Sequence, residues 1–457
     1  MGSPGKIEQA LEMSKIYLLS LGCPRNMNDS ELLLSMLEKE GFSVTDDPVS
    51  ADAAIVNTCG FVEDAKRESI DVILRLAELK KKGDIERIVV TGCLSQRYPS
   101  ELMDQIGEID AVFGTSDFLK IPSMLGLVFS GKRIKEVNPE PDFLDDGTTG
   151  RKILTPPHYT YVKIQEGCSN RCSYCVIPAL KGRRRSRTPS SIITEVRRLV
   201  SSGEVRELIL IGQDTTSYGM DLGREVRLPA LLREVCAAAG NTWVRLLYTH
   251  PAHFTDELTE VVSETPNLLK YIDLPVQHIN DRILREMNRS VSGGEARSLI
   301  NGIRRRIKGV ALRTSVIVGF PGETEKEFSE LLDFLKEVRF ERLGAFVYSR
   351  EEGSAAADMP GQVPDALKKE RFDRVMTLQR DISAENNASL IGNELDVLID
   401  EPAGEGRYAG RSYMDAPEVD GGVFVLGEGL SAGDLVKARI TGAMEYDLVG
   451  ELTDEPA

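Results

Sequence analysis

Apolar and polar positions follow two rhythms along the chain. From Met13 to about residue 145, strand-length apolar runs alternate with stretches of helical spacing. Residues 16–21, 53–56, 87–90 and 109–113 read as strands. Asn28-Asp29-Ser30-Glu31 reads as the cap of a helix with Leu32, Leu33, Met36 and Leu37 on one face. A helix is predicted over 62–79 and another near Pro99. Strands alternating with helices predict a parallel sheet. The same alternation returns after residue 150, with strands predicted over 161–165, 207–211, 244–248, 271–274, 312–318 and 342–348. Six strand-helix units are too few to close an eight-stranded barrel, so the pattern predicts an open, partial (β/α)6 barrel of the TIM type. Its working face would be the C-terminal ends of the strands.

The rhythm then changes. Residues 350–365 are rich in Gly, Ala, Pro and Asp and read as a linker, and 365–385 as a helix with Leu367, Val375, Leu378 and Ile382 apolar. Short strands split by Gly and Asp turns over 390–452 predict a small all-β barrel. The fold class is therefore α/β with an all-β tail. The divisions are 13–145, 150–387 and 388–457, and residues 1–12, opening Met-Gly-Ser-Pro, read as an appended leader.

Composition narrows the chemistry. With 41% hydrophobic and 28% charged residues, the 457-residue chain has the make-up of a soluble globular protein. No run is long and apolar enough for a membrane span, and no export signal is visible. Seven cysteines in such a chain indicate a reducing, cytoplasmic setting and metal or catalysis in place of disulfides. The net charge of −16 argues against a chain-wide nucleic-acid footprint.

Six of the cysteines fall into two sets of three. Cys168-Ser-Asn-Arg-Cys172-Ser-Tyr-Cys175 is a C-x3-C-x2-C loop directly after the first barrel strand. Three thiolates on one short loop can each take a corner iron of a cubane, leaving the fourth iron open; the alternative is a structural zinc site, which needs a fourth ligand. Cys23, Cys59 and Cys93 each end a predicted strand, 36 and 34 residues apart. One edge of a parallel sheet would gather them, and the adjoining Gly22, Gly60 and Gly92 permit close approach of a bulky group. They predict a second cluster, against the alternative of three buried structural thiols. Cys236 reads as a core thiol.

The loop with Tyr174 before its last cysteine, after the first strand of a six-unit barrel, resembles the radical S-adenosylmethionine (SAM) superfamily. Gly22-Cys23-Pro-Arg-Asn26, Asp29-Ser30-Glu31, Asn57-Thr58-Cys59-Gly60-Phe61, Thr91-Gly92-Cys93 and the run from Gly167 to Arg187 extend the likeness to the methylthiotransferase family over essentially the whole chain. The resemblance implies a cluster domain, a radical core and a tail called TRAM. It also implies two 4Fe–4S clusters, with SAM chelated at the open iron of the core cluster and cleaved to a 5′-deoxyadenosyl radical. The family's transfer-RNA branch, MiaB, usually reads Gly-Cys-Gln-Met-Asn at the first cysteine. Pro24 and Arg25 instead resemble the branch that methylthiolates the β-carbon of an aspartate in small-subunit ribosomal protein S-twelve. The implied partners are that basic protein, free or in the small subunit, a sulfur donor, and an electron donor such as a flavodoxin or ferredoxin.

The tail bears on the same choice. Residues 388–457 hold 15 acidic and 4 basic side chains, suited to a basic protein partner through Asp415, Glu418 and Asp420 in a turn after Tyr413. The rivals are transfer-RNA adenosine as substrate, and a non-enzymatic metal-cluster module that binds RNA. Cofactor contacts are expected at strand tips: Gln213, Asp214, Gln277, His278, Arg313, Phe346 and Tyr348. The N–H groups of Gly319-Phe-Pro-Gly322-Glu323, at a helix start, and the guanidinium groups of Arg183, Arg184, Arg185 and Arg187 are also expected to face the cofactor or cluster. His250 and His253 read as structural.

Overall fold

The structure, a computed structural model, describes residues 14–453; the leader expected over 1–12 lies outside them. The chain gathers into two compact units. The first takes residues up to Leu154 together with 165–170 and 175–191; the second takes 155–164, 171–174 and 192 onward.

The first unit is built on a six-stranded, wholly parallel sheet ordered β2-β1-β3-β4-β5-β6. The strands are β1 (Lys15–Ser20), β2 (Ser43–Thr45), β3 (Ala53–Thr58), β4 (Arg87–Gly92), β5 (Ala111–Phe113) and β6 (Ile134–Glu136). The two short edge strands, β2 and β6, carry too few apolar positions to be seen in sequence. Every residue of β3 is buried, as expected for a parallel strand covered on both faces. Its period of two sorts the core: Ala53 and Ile55 face one side with Leu33, Leu37 and Leu125, and Ala54 and Val56 face the other with Ile73 and Leu76.

Three helices leave the sheet's C-terminal edge. α1 (Pro24–Lys39) opens with a proline at its first turn, where no N–H is needed. The expected cap at residues 28–31 is thus corrected: those four residues lie inside α1 and are buried. α2 (Glu63–Lys82) has Glu63 and Asp64 in its first turn, Lys80 to Lys82 in its last, and ends on Gly83 at φ 87°. α3 (Cys93–Arg97) follows β4 without a loop.

The second unit holds two parallel three-stranded sheets. One contains β7 (Tyr159–Lys163), β8 (Glu207–Ile211) and β9 (Trp243–Leu246), the other β10 (Tyr271–Asp273), β11 (Ala311–Val318) and β12 (Arg342–Val347). Each strand lies beside its sequence neighbour, Thr249 N–H bridging to the Asp273 carbonyl, and β7 and β12 remain unpaired with each other. This is the open six-strand arrangement the pattern predicts. α4 (Asp365–Ala388) packs Val375 into the same core. Then β13 (Glu394–Gly404), β14 (Arg407–Ser412), β15 (Val423–Leu426), β16 (Leu435–Ala443) and β17 (Leu448–Leu452) close a small barrel.

The acidic tail is not the free surface that its charge suggests. Asp400, Asp415 and Asp420 turn inward, toward His158 just before β7, Tyr271 and Arg313 in β10 and β11, and Arg342 at the start of β12. Arg411 pairs with Glu207 at 2.5 Å and clasps Asp400, which also meets His158 at 2.8 Å. Arg342 donates to Asp415 at 2.5 and 2.8 Å, and Arg313 bridges Asp273 and Asp420. Tyr271 OH donates to Asp420 at 2.7 Å. Of the three acidic residues expected to dock a partner, only Glu418 is exposed. A fully buried carboxylate such as Asp415 is tolerated because a guanidinium is held against it.

Candidate functional site

The strand order 2-1-3-4-5-6 reverses at β1 and β3, and a crevice opens at such a point beyond the strands' C-terminal ends. Cys23 follows β1, Cys59 follows β3 and Cys93 follows β4, so topology alone sets the three thiols along this edge. Asn26 ties their loops together: its amide donates to the Leu21 and Thr58 carbonyls at 3.1 and 3.0 Å and accepts from the Cys93 thiol at 3.8 Å. Asn57 donates to the Asn26 carbonyl and to Ser30, and Thr58 to the Thr91 carbonyl. The glycines are packing requirements. A Cβ on Gly22 would lie 3.0 Å from Cys59 Sγ, and one on Gly60 2.7 Å from Leu94 N. A Cβ on Gly92, itself at φ 97°, would meet Asn57 and Thr58.

The three thiols differ electrically. Burial pushes Cys93 up to about 12 and also raises Cys59. Burial opposes the Cys23 thiolate too, but the Arg25 charge, its hydrogen bond at 3.5 Å and neighbouring N–H donors lower the net value. Behind Cys93 lies Lys181, buried and paired with Asp29 at 2.8 Å, with Val176 and Leu180 packed on the cysteine. Glu31, the other buried acid of the motif, holds Arg151 and the Leu154 N–H. Sequence reasoning took Asp29 and Glu31 for cap residues; the signal it lacked was their partners, 152 and 120 residues away.

The second cysteine set lies on the loop after β7. Cys168 Sγ accepts from the Asn170 N–H at 3.4 Å and Cys175 Sγ from Ile177 at 3.5 Å. In the second unit, the segment 286–289 cradles residues 171–174. Ser173 donates its N–H to Met287 and its hydroxyl to Glu286, while Asn288 donates to the Arg171 carbonyl at 2.6 Å. Arg289 donates to Cys172 Sγ at 3.8 Å and to the Pro275 carbonyl at 2.6 Å. Tyr174 packs beside Met287 and Phe320.

The expected cofactor residues are placed unequally. Gln213 and Asp214 follow β8, and Asp214 is buried against His253 at 2.8 Å; that hydrogen bond and the two histidines outweigh its burial and hold the carboxyl well below the usual range. His250 stacks on His253 and is pushed down to about 3, first by burial and then by Arg289. Gln277 sits after β10 with φ 67°, held in that unusual backbone by Ser315 and Ile317. His278 is buried against Glu323. Phe346 is 53% exposed, whereas Tyr348 is packed into a core with Phe320. Arg313 lies in the first half of its strand, committed to Asp273 and Asp420.

Two expectations are corrected. The N–H groups of Gly319, Gly322 and Glu323 are already taken by Glu323, Gly361 and Phe320, and the helix starts later, with a capping box at Thr324 and Glu327. Arg185 holds the Phe143 carbonyl and Arg187 the Ser191 hydroxyl, so these two brace the first unit and only Arg183 of the run is exposed.

Three family models match in order: an uncharacterized protein family, UPF0004, over residues 15–114, the radical SAM superfamily over 162–335, and the TRAM domain over 391–453. Among solved structures, the radical SAM methyltransferase TsrM from Kitasatospora setae, with tryptophan and a SAM analogue, aligns with TM-score 0.56 at 16% identity. That alignment covers 86% of this chain and 79% of that one, a likeness of fold. Fold, cysteine loop and family models together define a radical SAM enzyme, which binds SAM and 4Fe–4S clusters. Curated relatives are much closer. A ribosomal protein uS12 methylthiotransferase RimO from Desulforamulus reducens is 49% identical over 96% of this chain and all of its own length. Another from Heliobacterium modesticaldum is 47% identical over 99% of this chain and 98% of its own. The chain belongs to the RimO family of methylthiotransferases.

The side chains present fit the clusters this family requires. Each set offers three free thiols, and among the described residues no group of three or more His, Cys, Asp or Glu is gathered to hold a single metal ion. The buried Arg289 Nε–H, which has no acceptor among the described residues, is a donor suited to a sulfur-rich anion.

Proposed function

We propose that the enzyme replaces a hydrogen on the β-carbon of an aspartate in ribosomal protein uS12 with a methylthio group, using two molecules of SAM. The observation that carries this reading is the pair of three-cysteine sets in a chain of the RimO family. We assign Cys168, Cys172 and Cys175 to the cluster that binds SAM, and Cys23, Cys59 and Cys93 to a cluster that holds the transferred sulfur. When bound, the first supplies the electron that cleaves SAM and the second an open iron for sulfur.

The protein's own part is positional. Asn26, Asn57 and the three glycines keep the Cys23, Cys59 and Cys93 loops at fixed separation. Gln213, Asp214, Gln277 and Phe346, at strand tips, are the residues we assign to cofactor contact. Tyr348 supports that edge from the core, and Arg313 is left out because both its acidic partners are internal. The sulfur donor and a low-potential electron donor, a flavodoxin or ferredoxin, complete the partners, and a ribosomal substrate places the enzyme in the cytoplasm. No described helix is long and apolar enough to cross a membrane.

The test is division of labour. A full-length variant with Cys23, Cys59 and Cys93 all changed to Ala should still form 5′-deoxyadenosine from SAM under reducing conditions but yield no methylthiolated uS12. Normal product from that variant would refute the assignment.

A further inference from the structure

Arg289 is a buried cation that sequence reasoning passed over. It follows Asn288, whose φ of 54° reverses the chain after the short helix Asp281–Glu286. The turn directs the side chain inward, where only 8% of the residue is exposed. Cys172 is in contact with it, and Tyr174, Asp214 and His250 lie within electrostatic reach. One terminal N–H meets Cys172 Sγ at 3.8 Å, another holds the Pro275 carbonyl at 2.6 Å, and the Nε–H has no acceptor among the described residues. Burying a guanidinium is costly unless its donors are satisfied, and here one acceptor is a thiol while another is missing. A sulfur-rich anion beside Cys172 would satisfy both.

We propose that Arg289 is the positioning residue of the SAM-cleaving cluster, donating N–H bonds to its sulfurs and setting its reduction potential. Hydrogen bonds to cluster sulfurs and local charge are main determinants of such potentials; both stabilise the more negative, reduced state and raise the potential. Asp214, whose carboxylate is fixed by His253 at 2.8 Å, lies within electrostatic reach of the guanidinium. The other cysteine set carries a comparable donor, Arg25 on Cys23, which is only half-buried.

The experiment is a redox titration of the anaerobically reconstituted full-length enzyme, followed by electron paramagnetic resonance, with wild type, Arg289→Met, Arg289→Lys and Arg25→Met. Arg289→Met should keep its iron and need a more negative potential to reduce the SAM-responsive cluster signal. Arg289→Lys should restore part of the shift, and Arg25→Met should leave that signal where it is. An unmoved potential in Arg289→Met with full iron overturns the proposal. So does an Arg289→Lys enzyme with wild-type potential if Arg289→Met fails to hold iron, since the residue would then only brace the loop. The proposal rests on the ligand assignment above. If that assignment fails, replacing Cys168, Cys172 and Cys175 leaves iron content unchanged; if only the arginine's role fails, iron still follows the cysteines.

Discussion

The two cysteine sets reach the same count of thiols by opposite routes. Cys168, Cys172 and Cys175 are neighbours in the chain, and the loop needs only anchoring, which Ser173 and Asn288 give it. Cys23, Cys59 and Cys93 are neighbours only because three strands of one sheet end together. The local set should therefore tolerate changes elsewhere in the fold, and the dispersed set should fail whenever the sheet edge is disturbed. Within the dispersed set the three surroundings differ: one thiol is lowered by an arginine while the others are raised by burial.

Removing each set outright is the strongest way to break the comparison. Replacing Cys168, Cys172 and Cys175 with Ala should abolish 5′-deoxyadenosine formation and halve an iron content of about eight per chain. Iron analysis and chromatography of the nucleoside check both. Lys181→Met comes next. It strands Asp29 as a buried charge and should cost about 3–5 kcal/mol in chemical denaturation. Its iron loss should fall on the Cys93 set, leaving SAM cleavage per cluster intact.

Gly60→Ala sharpens the contrast with less force. Its methyl would press on the Cys93–Leu94 backbone, so a loss of about 1–3 kcal/mol is expected, again with iron lost from the dispersed set alone. The same change at Gly83, where a Cβ meets nothing, should cost only about 1 kcal/mol, from its left-handed backbone. The smallest effect belongs to the exposed Glu418: Glu418→Lys should change thermal stability by less than about 0.5 kcal/mol, whereas a buried tail acid behaves oppositely. Asp415→Lys, which sets a cation against Arg342, should prevent stable folding.

Much of this was legible in the sequence. The alternation of strands and helices defined the parallel sheet and the six-strand barrel because their apolar runs are long and their turns carry Gly and Pro. Six cysteines stood out for the same reason, by spacing and by their place at strand ends. The acidic tail misled because charge was counted without partners. Asp415 and Asp420 face Arg342 and Arg313, and nothing local to a tail aspartate reveals an arginine on a distant barrel strand; Asp400 faces Arg411 of the tail itself. Arg289 was missed likewise: a lone arginine after Met-Asn has no local signature, and only the fold sets it beside Cys172. His250 and His253 were read as structural, and sequence did not reveal that they share Asp214 with this cation.

Mass spectrometry of uS12 tests the central claim most directly. Small subunits incubated with the reconstituted enzyme, SAM, a sulfide source and a low-potential reductant should gain one SCH3 in place of H on a single uS12 aspartate, with transfer RNA in the same reaction unmodified. An unmodified uS12 together with a methylthiolated adenosine in the transfer RNA would contradict the account.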